Sequence, residues 1–311
     1  MTVKRKRIWV DLLLYPAHTL PTAAAPVLVG AGLAAHDGIF AALPMLVAFL
    51  GSWLIHVAGV LTDNHELLRR YPQIAEHPEL STALKERSLN LYQLKIAIAA
   101  CFVLEVPCAL FFLRIGGLPA IALGAIGVLA SLGYAGGPLP YTKLGLAEPI
   151  FLGMFGVVAV AGSYYAQLAW LHAANLQVRP SLDAMPASSW IIGLPVGALV
   201  TNVLLIDDMR DRQFDLIKGW RTLAVRAGVR GDKIAYCALT AFAYLGGLVL
   251  SLSLGLGGWA FLPLVTLPLA WSMAASIWTH EEPVDLLPMT PRASLLACAY
   301  AGLLAIGLSV T

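Results

Sequence analysis

The chain has 311 residues, of which 59% are hydrophobic and 12% charged, against about 45–50% and about 25% in soluble domains. With a mean hydropathy of +0.77, that balance excludes a soluble enzyme and predicts an all-α, polytopic membrane protein. The formal net charge of +2 excludes the broad basic field that nucleic acid would require.

The N-terminus, MTVKRKRIWVDLLLYP, is basic, but Asp11 and Pro16 follow and no small-residue cleavage site is present. A removed signal peptide is therefore not expected. Apolar windows of membrane-crossing length, roughly 17–25 residues, fall near 20–36, 39–61, 94–114, 116–134, 146–170, 189–206, 234–255, 257–278 and 293–310. These predict nine transmembrane helices around a central cavity, in a single domain covering 1–311. Gly116-Gly117, Gly136-Gly137-Pro138 and Gly257-Gly258 punctuate the windows, as glycine and proline do at turns.

With the N-terminus cytoplasmic, 18 of the 20 Lys and Arg fall on inside segments and only Arg114 and Arg179 outside. The positive-inside rule thus fixes the orientation. The prediction is an integral multi-pass protein, in the inner membrane if the source is bacterial, with its site facing the cytoplasm and capped by segments 62–93, 135–145 and 207–233. Cys101, Cys108, Cys237 and Cys298 lie within apolar runs with no CxxC pair, so they suggest neither a disulfide framework nor a thiolate metal site.

The sixth apolar window runs without a breaker into Asp207-Asp208-Met209-Arg210-Asp211-Arg212-Gln213-Phe214-Asp215. At 3.6 residues per turn Asp207, Asp211 and Asp215 share one helical face, with Asp208 beside them. Like charges at i and i+4 oppose a helix by a few tenths of a kcal/mol each. Arg210 and Arg212 offset part of this, and Mg²⁺, which takes one or two carboxylates and completes its shell with water and phosphate oxygens, would offset more. The alternative is a solvated helix end of alternating charge, which leaves unexplained why the acids begin where the apolar window stops. Thr62-Asp63-Asn64-His65-Glu66 leaves the second window in the same way, with Asp63 and Glu66 at i and i+3. Two acid clusters on one membrane face, with basic residues between them, suit a metal-bridged diphosphate, and the apolar bundle beneath suits an isoprenoid tail.

Between the fourth and fifth windows, Tyr134-Ala135-Gly136-Gly137-Pro138-Leu139-Pro140-Tyr141-Thr142-Lys143 is a backbone-rich turn. Tyr134, Tyr141 and Lys143 are either interfacial anchors or groups that meet an allylic cation and a phosphate. Glu105, inside the third window, and His56, in the second, are each open to a structural or a functional reading.

Residues 207–215 followed by Gly219-Trp220-Arg221-Thr222-Leu223-Ala224-Val225-Arg226 resemble the second aspartate motif of the UbiA superfamily of intramembrane prenyltransferases. In the menaquinone branch that motif runs N-N-x-R-D-x-x-x-D-x-x-x-G-K-x-T-L-x-V-R. His18-Thr19-Leu20-Pro21 with Ala25-Pro26-Val27-Leu28-Val29-Gly30 is similar to the opening of that branch. Tyr134–Glu148 resembles its Y-x-G-G-P-x-P and G-L-x-E elements. The resemblance covers essentially the whole chain.

It implies a helical bundle that binds a polyprenyl diphosphate through Mg²⁺, loss of diphosphate to give an allylic cation, and attack by an aromatic quinone precursor. In that branch the precursor is 1,4-dihydroxy-2-naphthoate, which loses its carboxylate as CO2. Membrane lipid surrounds the protein, and no nucleic-acid partner is implied. Arg210, Asp211 and Asp215 fall on the motif's R, D and D, and Asp63 and Glu66 on the acids of N-D-x-x-D.

The expected metal ligands are therefore Asp63, Glu66, Asp207, Asp208, Asp211 and Asp215, of which Asp63, Glu66, Asp211 and Asp215 are catalytic. Asn64, Arg210, Lys143, Tyr134, Tyr141, Lys218 and Arg221 are expected at the substrate. Thr62, Glu66, Pro72, Asp207, Asp208 and Trp220 depart from the family pattern and shift acid toward the second cluster. A terpene cyclase on the same scaffold, needing no acceptor, is the alternative. A transporter is disfavoured because the acids sit at helix ends rather than at the bilayer midplane.

Overall fold

The computed structural model describes residues 19–71, 91–137 and 140–311. The N-terminal basic cluster, His18, Pro72, Lys85, Arg87 and most of the 62–93 segment lie outside the described residues. The helices are α1 (Leu20–His36), α2 (Ala42–Arg70), α3 (Leu91–Gly133), α4 (Ala147–Ala174), α5 (Ser188–Lys218), α6 (Leu223–Ser253), α7 (Gly257–Thr279) and α8 (Pro283–Val310). No strand occurs among the described residues.

The expected all-α membrane architecture is thus observed. Among the described residues seven helices, α2 to α8, are long and apolar enough to cross a membrane, where the sequence predicts nine spans. The difference has two sources. Helix α1 has 17 residues, the lower end of spanning length. The third and fourth windows are the two halves of α3, counted together because they join directly at Gly117 (φ 66°, ψ −150°), a conformation open essentially to glycine alone. The chain reverses there. Leu94 and Cys101 before the break pack with Ala58 and Leu61 of α2, and after it Ser131 Oγ donates to the Ile55 carbonyl, also of α2, at 3.0 Å. Tyr165 of α4 holds the turn by donating to the Gly116 carbonyl at 2.8 Å.

Helix α5 is the central column: its most hydrophobic window is 83% buried, against 11% for α3. Small residues let its neighbours approach, the usual device where lipid removes the hydrophobic drive between helices. Helix α4 contains a π-helical turn at Met154–Val158, and a Cβ added at Gly197 of α5 would stand 2.6 Å from Gly156 Cα within that turn. Helix α1 is clasped in the same way. A Cβ at Gly30 would meet Ser163 of α4 and one at Gly32 would meet Ala305 of α8, both at 2.6 Å. Large side chains such as Leu110, Leu129, Val249 and Trp271 face outward, as lipid-facing positions should.

Candidate active site

A cavity of about 600 Å³ opens among α1 to α5 and the start of α8. Its wall on α2 runs from Ala48 to Asp63, about 22 Å at 1.5 Å per residue. The deep part is mostly apolar, with Val27, Phe112, Leu123, Phe155 and Val200 among its walls and Glu105 of α3 an exception, whereas the mouth carries the carboxylates of α2 and α5. Asp207, Asp208, Asp211 and Asp215 all line it from the last turns of α5, so the shared helical face expected from their spacing is the face turned inward. Asp63 and Asn64 line it from α2, and Asp63 lies within electrostatic reach of Lys218, Asp215, Asp211 and Asp207.

Fixed partners orient the α5 acids. Arg210 Nη1 donates to Asp207 Oδ1 at 2.7 Å and Arg210 Nε to Asp211 Oδ1 at 2.8 Å. Thr290, at the start of α8, donates to Asp207 Oδ1 at 2.7 Å. Asp215 is buried with Lys218, Oδ1 to Nζ at 2.9 Å, and accepts from Thr222 Oγ1 at 3.1 Å. This clasp follows from the end of α5, where Gly219 at φ 70° takes the left-handed C-cap conformation that closes helices. Trp220 then doubles back, its N–H donating to the Asp215 carbonyl at 2.9 Å. Its ring lies beneath the Lys218 ammonium, 3.6 Å from Nζ.

Tyr134 stacks edge-on against both Tyr141 and Trp220, with centroids 5.7 and 5.5 Å apart, and the three form an aromatic wall at the mouth. Burial, reinforced by the Asp63 carboxylate, pushes the Tyr141 phenol above its ordinary value, so it is a neutral O–H. The 135–145 turn is tied to the segment after α5 because Arg221 N–H donates to the Thr142 carbonyl at 2.9 Å. Glu148 caps α6, accepting from Leu223 N–H at 2.5 Å and Arg226 Nη2 at 3.1 Å.

Three expected site residues lie off the cavity wall. Glu66 is held by Arg69 Nη2 at 2.6 Å, Arg70 Nε at 2.9 Å and His65 Nδ1 at 3.1 Å. It borders a small adjoining pocket with Lys143 and Lys218. Lys143 borders that pocket rather than the cavity, and the Arg221 side chain is exposed. Three residues outside the expected set belong to the neighbourhood: Thr290, Trp220 and Asp232. Asp232, in α6, is fully buried with neither carboxylate oxygen bonded, and its charge reaches Asp215. Trp220 stood out in the sequence as a departure from the lysine of the family motif. Nothing in the pattern marked Thr290, which reaches Asp207 from 83 residues away.

Two buried carboxylate oxygens, Asp63 Oδ1 on α2 and Asp208 Oδ2 on α5, have no hydrogen-bond partner. A buried acceptor left unmade costs about 1–3 kcal/mol, so both fit a cation entering from the mouth. Among the described residues no three His, Cys, Asp or Glu side chains are gathered closely enough to hold a metal on their own. That arrangement matches an ion which takes one or two carboxylates per side and completes its shell with phosphate oxygens and water.

The family model described as the UbiA prenyltransferase family matches residues 23–287. The chain belongs to that family. It is 29% identical over 304 residues to the 1,4-dihydroxy-2-naphthoate octaprenyltransferase of Mycobacterium tuberculosis, covering 93% of this chain and 94% of that one. Among solved structures it superposes on the apo structure of a UbiA homolog from Aeropyrum pernix K1 with a TM-score of 0.64 at 16% identity, covering 93% of this chain and 97% of that one. A UbiA homolog from Archaeoglobus fulgidus bound to GPP and Mg2+ matches with a TM-score of 0.50 at 15% identity, covering 95% and 99%. These two likenesses show the fold: an intramembrane helical bundle.

Proposed function

We propose that the chain transfers a polyprenyl group from its diphosphate to a ring carbon of an aromatic quinone precursor, 1,4-dihydroxy-2-naphthoate or a near analogue, in an Mg²⁺-dependent reaction. The observation that carries the proposal is the union in one cavity of a carboxylate-lined mouth, holding two bonding-deficient acids, with an apolar chamber. The acceptor follows from the relatives' named activity, and the metal from the carboxylate chemistry and from the ion in the Archaeoglobus homologue.

Asp63, Asp207, Asp208, Asp211 and Asp215 would hold the metal. When bound, Mg²⁺ neutralises the diphosphate and the charge that gathers on it as it leaves. Lys218 and Arg210, which line the mouth, add charge-assisted hydrogen bonds to the same oxygens. Asn64 offers an amide at the same depth. Tyr134, Tyr141 and Trp220 present aromatic faces to the allylic cation, while the apolar walls exclude water that would quench it. The C1–O bond breaks with its electron pair on the diphosphate, a C–C bond forms to the ring, and the acceptor carboxylate departs as CO2. No net proton is lost from the anionic acceptor.

Glu66, Lys143 and Arg221 serve this site from its rim, where Glu66 fixes Arg69 and Arg70 beside the mouth. The basic residues around the acid-bearing helix ends support a reading in which this mouth faces the cytoplasm in a nine-crossing bundle. There the described parts of 62–93, 135–145 and 207–233 form the cap of one domain, and lipid faces the outward apolar residues.

The test incubates purified protein with labelled geranylgeranyl diphosphate and Mg²⁺, with and without 1,4-dihydroxy-2-naphthoate. Prenylated naphthol that forms only with acceptor, and disappears on chelation, is expected. A cyclic hydrocarbon formed without acceptor would replace this reading with a terpene cyclase.

A further inference from the structure

Below the mouth carboxylates the chamber wall is apolar except at a few positions, among them Glu105 of α3, whose Oε2 is buried and unbonded, and His56. Ser52, Ser131 and Ser163 all spend their hydroxyls on nearby backbone carbonyls. His56 does not spend both its nitrogens. It lines the cavity, and Nε2 is 2.8 Å from Thr19 Oγ1 at the head of α1. Nδ1 makes no hydrogen bond among the described residues and is not among the fully buried unsatisfied atoms, so it is open to the chamber. His56 precedes Asp63 by seven residues on the uninterrupted helix α2. That is two turns on the same face, about 10 Å below the diphosphate-binding carboxylate. C1 lies just below the phosphates, and an acceptor ring standing about 3–3.5 Å from it extends further into the chamber, toward the level of His56.

We infer that His56, anchored by Thr19, is the subsite for a ring hydroxyl of the aromatic acceptor, and so a positioning and specificity-determining residue. The inference rests on the prenyl-transfer reading above. A phenolic hydroxyl both donates and accepts, so it pairs with Nδ1 in either tautomer the Thr19 bond selects. The tether holds the ring plane, so little rotamer freedom is lost when the acceptor binds. An isoprenoid tail has no use for this nitrogen, whereas a site that bonds a substrate hydroxyl rejects an analogue lacking it, because the site's own polar atom is left unmade.

The experiment measures kcat/KM for 1,4-dihydroxy-2-naphthoate, 1-hydroxy-2-naphthoate and 4-hydroxy-2-naphthoate, at saturating geranylgeranyl diphosphate. It uses the unaltered protein, His56→Leu, His56→Gln and Thr19→Val. The unaltered protein prefers the dihydroxy acid to one of the monohydroxy acids. In His56→Leu that preference falls about tenfold and the acceptor KM rises, while the KM for the diphosphate and the midpoint of thermal unfolding stay put. His56→Gln, which keeps a hydrogen-bonding head, recovers part of the preference, and Thr19→Val loses part of it. Equal losses on all three acceptors, or a parallel rise in the diphosphate KM, would mean that His56 merely fastens α1 to α2 and would overturn the inference. Failure of the unaltered protein to prenylate any of the three would overturn the underlying reading instead.

Discussion

Replacing Asp215 with Ala should damage the fold as well as the chemistry. The Asp215 and Lys218 side chains are 2% and 1% exposed and are paired at 2.9 Å. Removing the carboxylate strips a buried ammonium of its counter-ion, an operation that costs roughly 3–5 kcal/mol, and takes the acceptor from Thr222, a further loss of about 1 kcal/mol. The Trp220 ring beneath Nζ stabilises the ammonium both before and after the change, so it offsets nothing. Asp215→Ala/Lys218→Met removes both charges and should be about 2 kcal/mol or more above the single variant. Asp211→Asn is the contrast. Asp211 is 18% exposed and shares Arg210 with Asp207, so its loss should cost under about 1 kcal/mol while lowering turnover at least about a hundredfold. Thermal unfolding in detergent, followed by tryptophan fluorescence, together with prenyl transfer, reads both quantities. A single Asp215→Ala variant as stable as the parent, or a double variant no more stable than the single, would refute the reasoning.

Gly197→Val should lower stability by at least about 1–3 kcal/mol, because the first added carbon lands 2.6 Å from the Gly156 backbone; turnover should fall with it, since α5 carries four of the site carboxylates. Trp220→Leu removes the face on which Lys218 rests and should raise the KM for the prenyl diphosphate about tenfold, with the acceptor KM unchanged, as steady-state kinetics on each substrate would report.

The helical content, most of the spans and the inward face of the α5 acids were legible because each is a local property. Hydropathy marks spans, and 3.6-residue periodicity puts Asp207, Asp211 and Asp215 on one stripe whatever surrounds them. Gly116-Gly117 marks a turn in the sequence, and the chain reverses there at the positive φ of Gly117, so that both halves of α3 pack on α2. The site's periphery was not legible, because it depends on which neighbour claims each charge. Spacing puts Glu66 on a face shared with Asp63, but Arg69 and Arg70, three and four residues on, can reach back along the same helix, and they take its carboxylate.

The competition at Glu66 also explains why the acids can be distributed so unequally. A carboxylate oxygen left short of partners is the one most readily offered to a metal, and α2 ends in two arginines that can satisfy an acid within one turn. Asp63 escapes because it stands six and seven residues from Arg69 and Arg70, nearly two turns away, and keeps a buried unbonded oxygen. On α5 the single Arg210 is divided between Asp207 and Asp211, and Lys218 is occupied by Asp215. Asp208 is left with a buried oxygen that nothing donates to. Two helices of opposite charge balance thus each leave one such oxygen at the mouth, which supports the proposal that a cation binds there with the substrate's phosphates completing its shell.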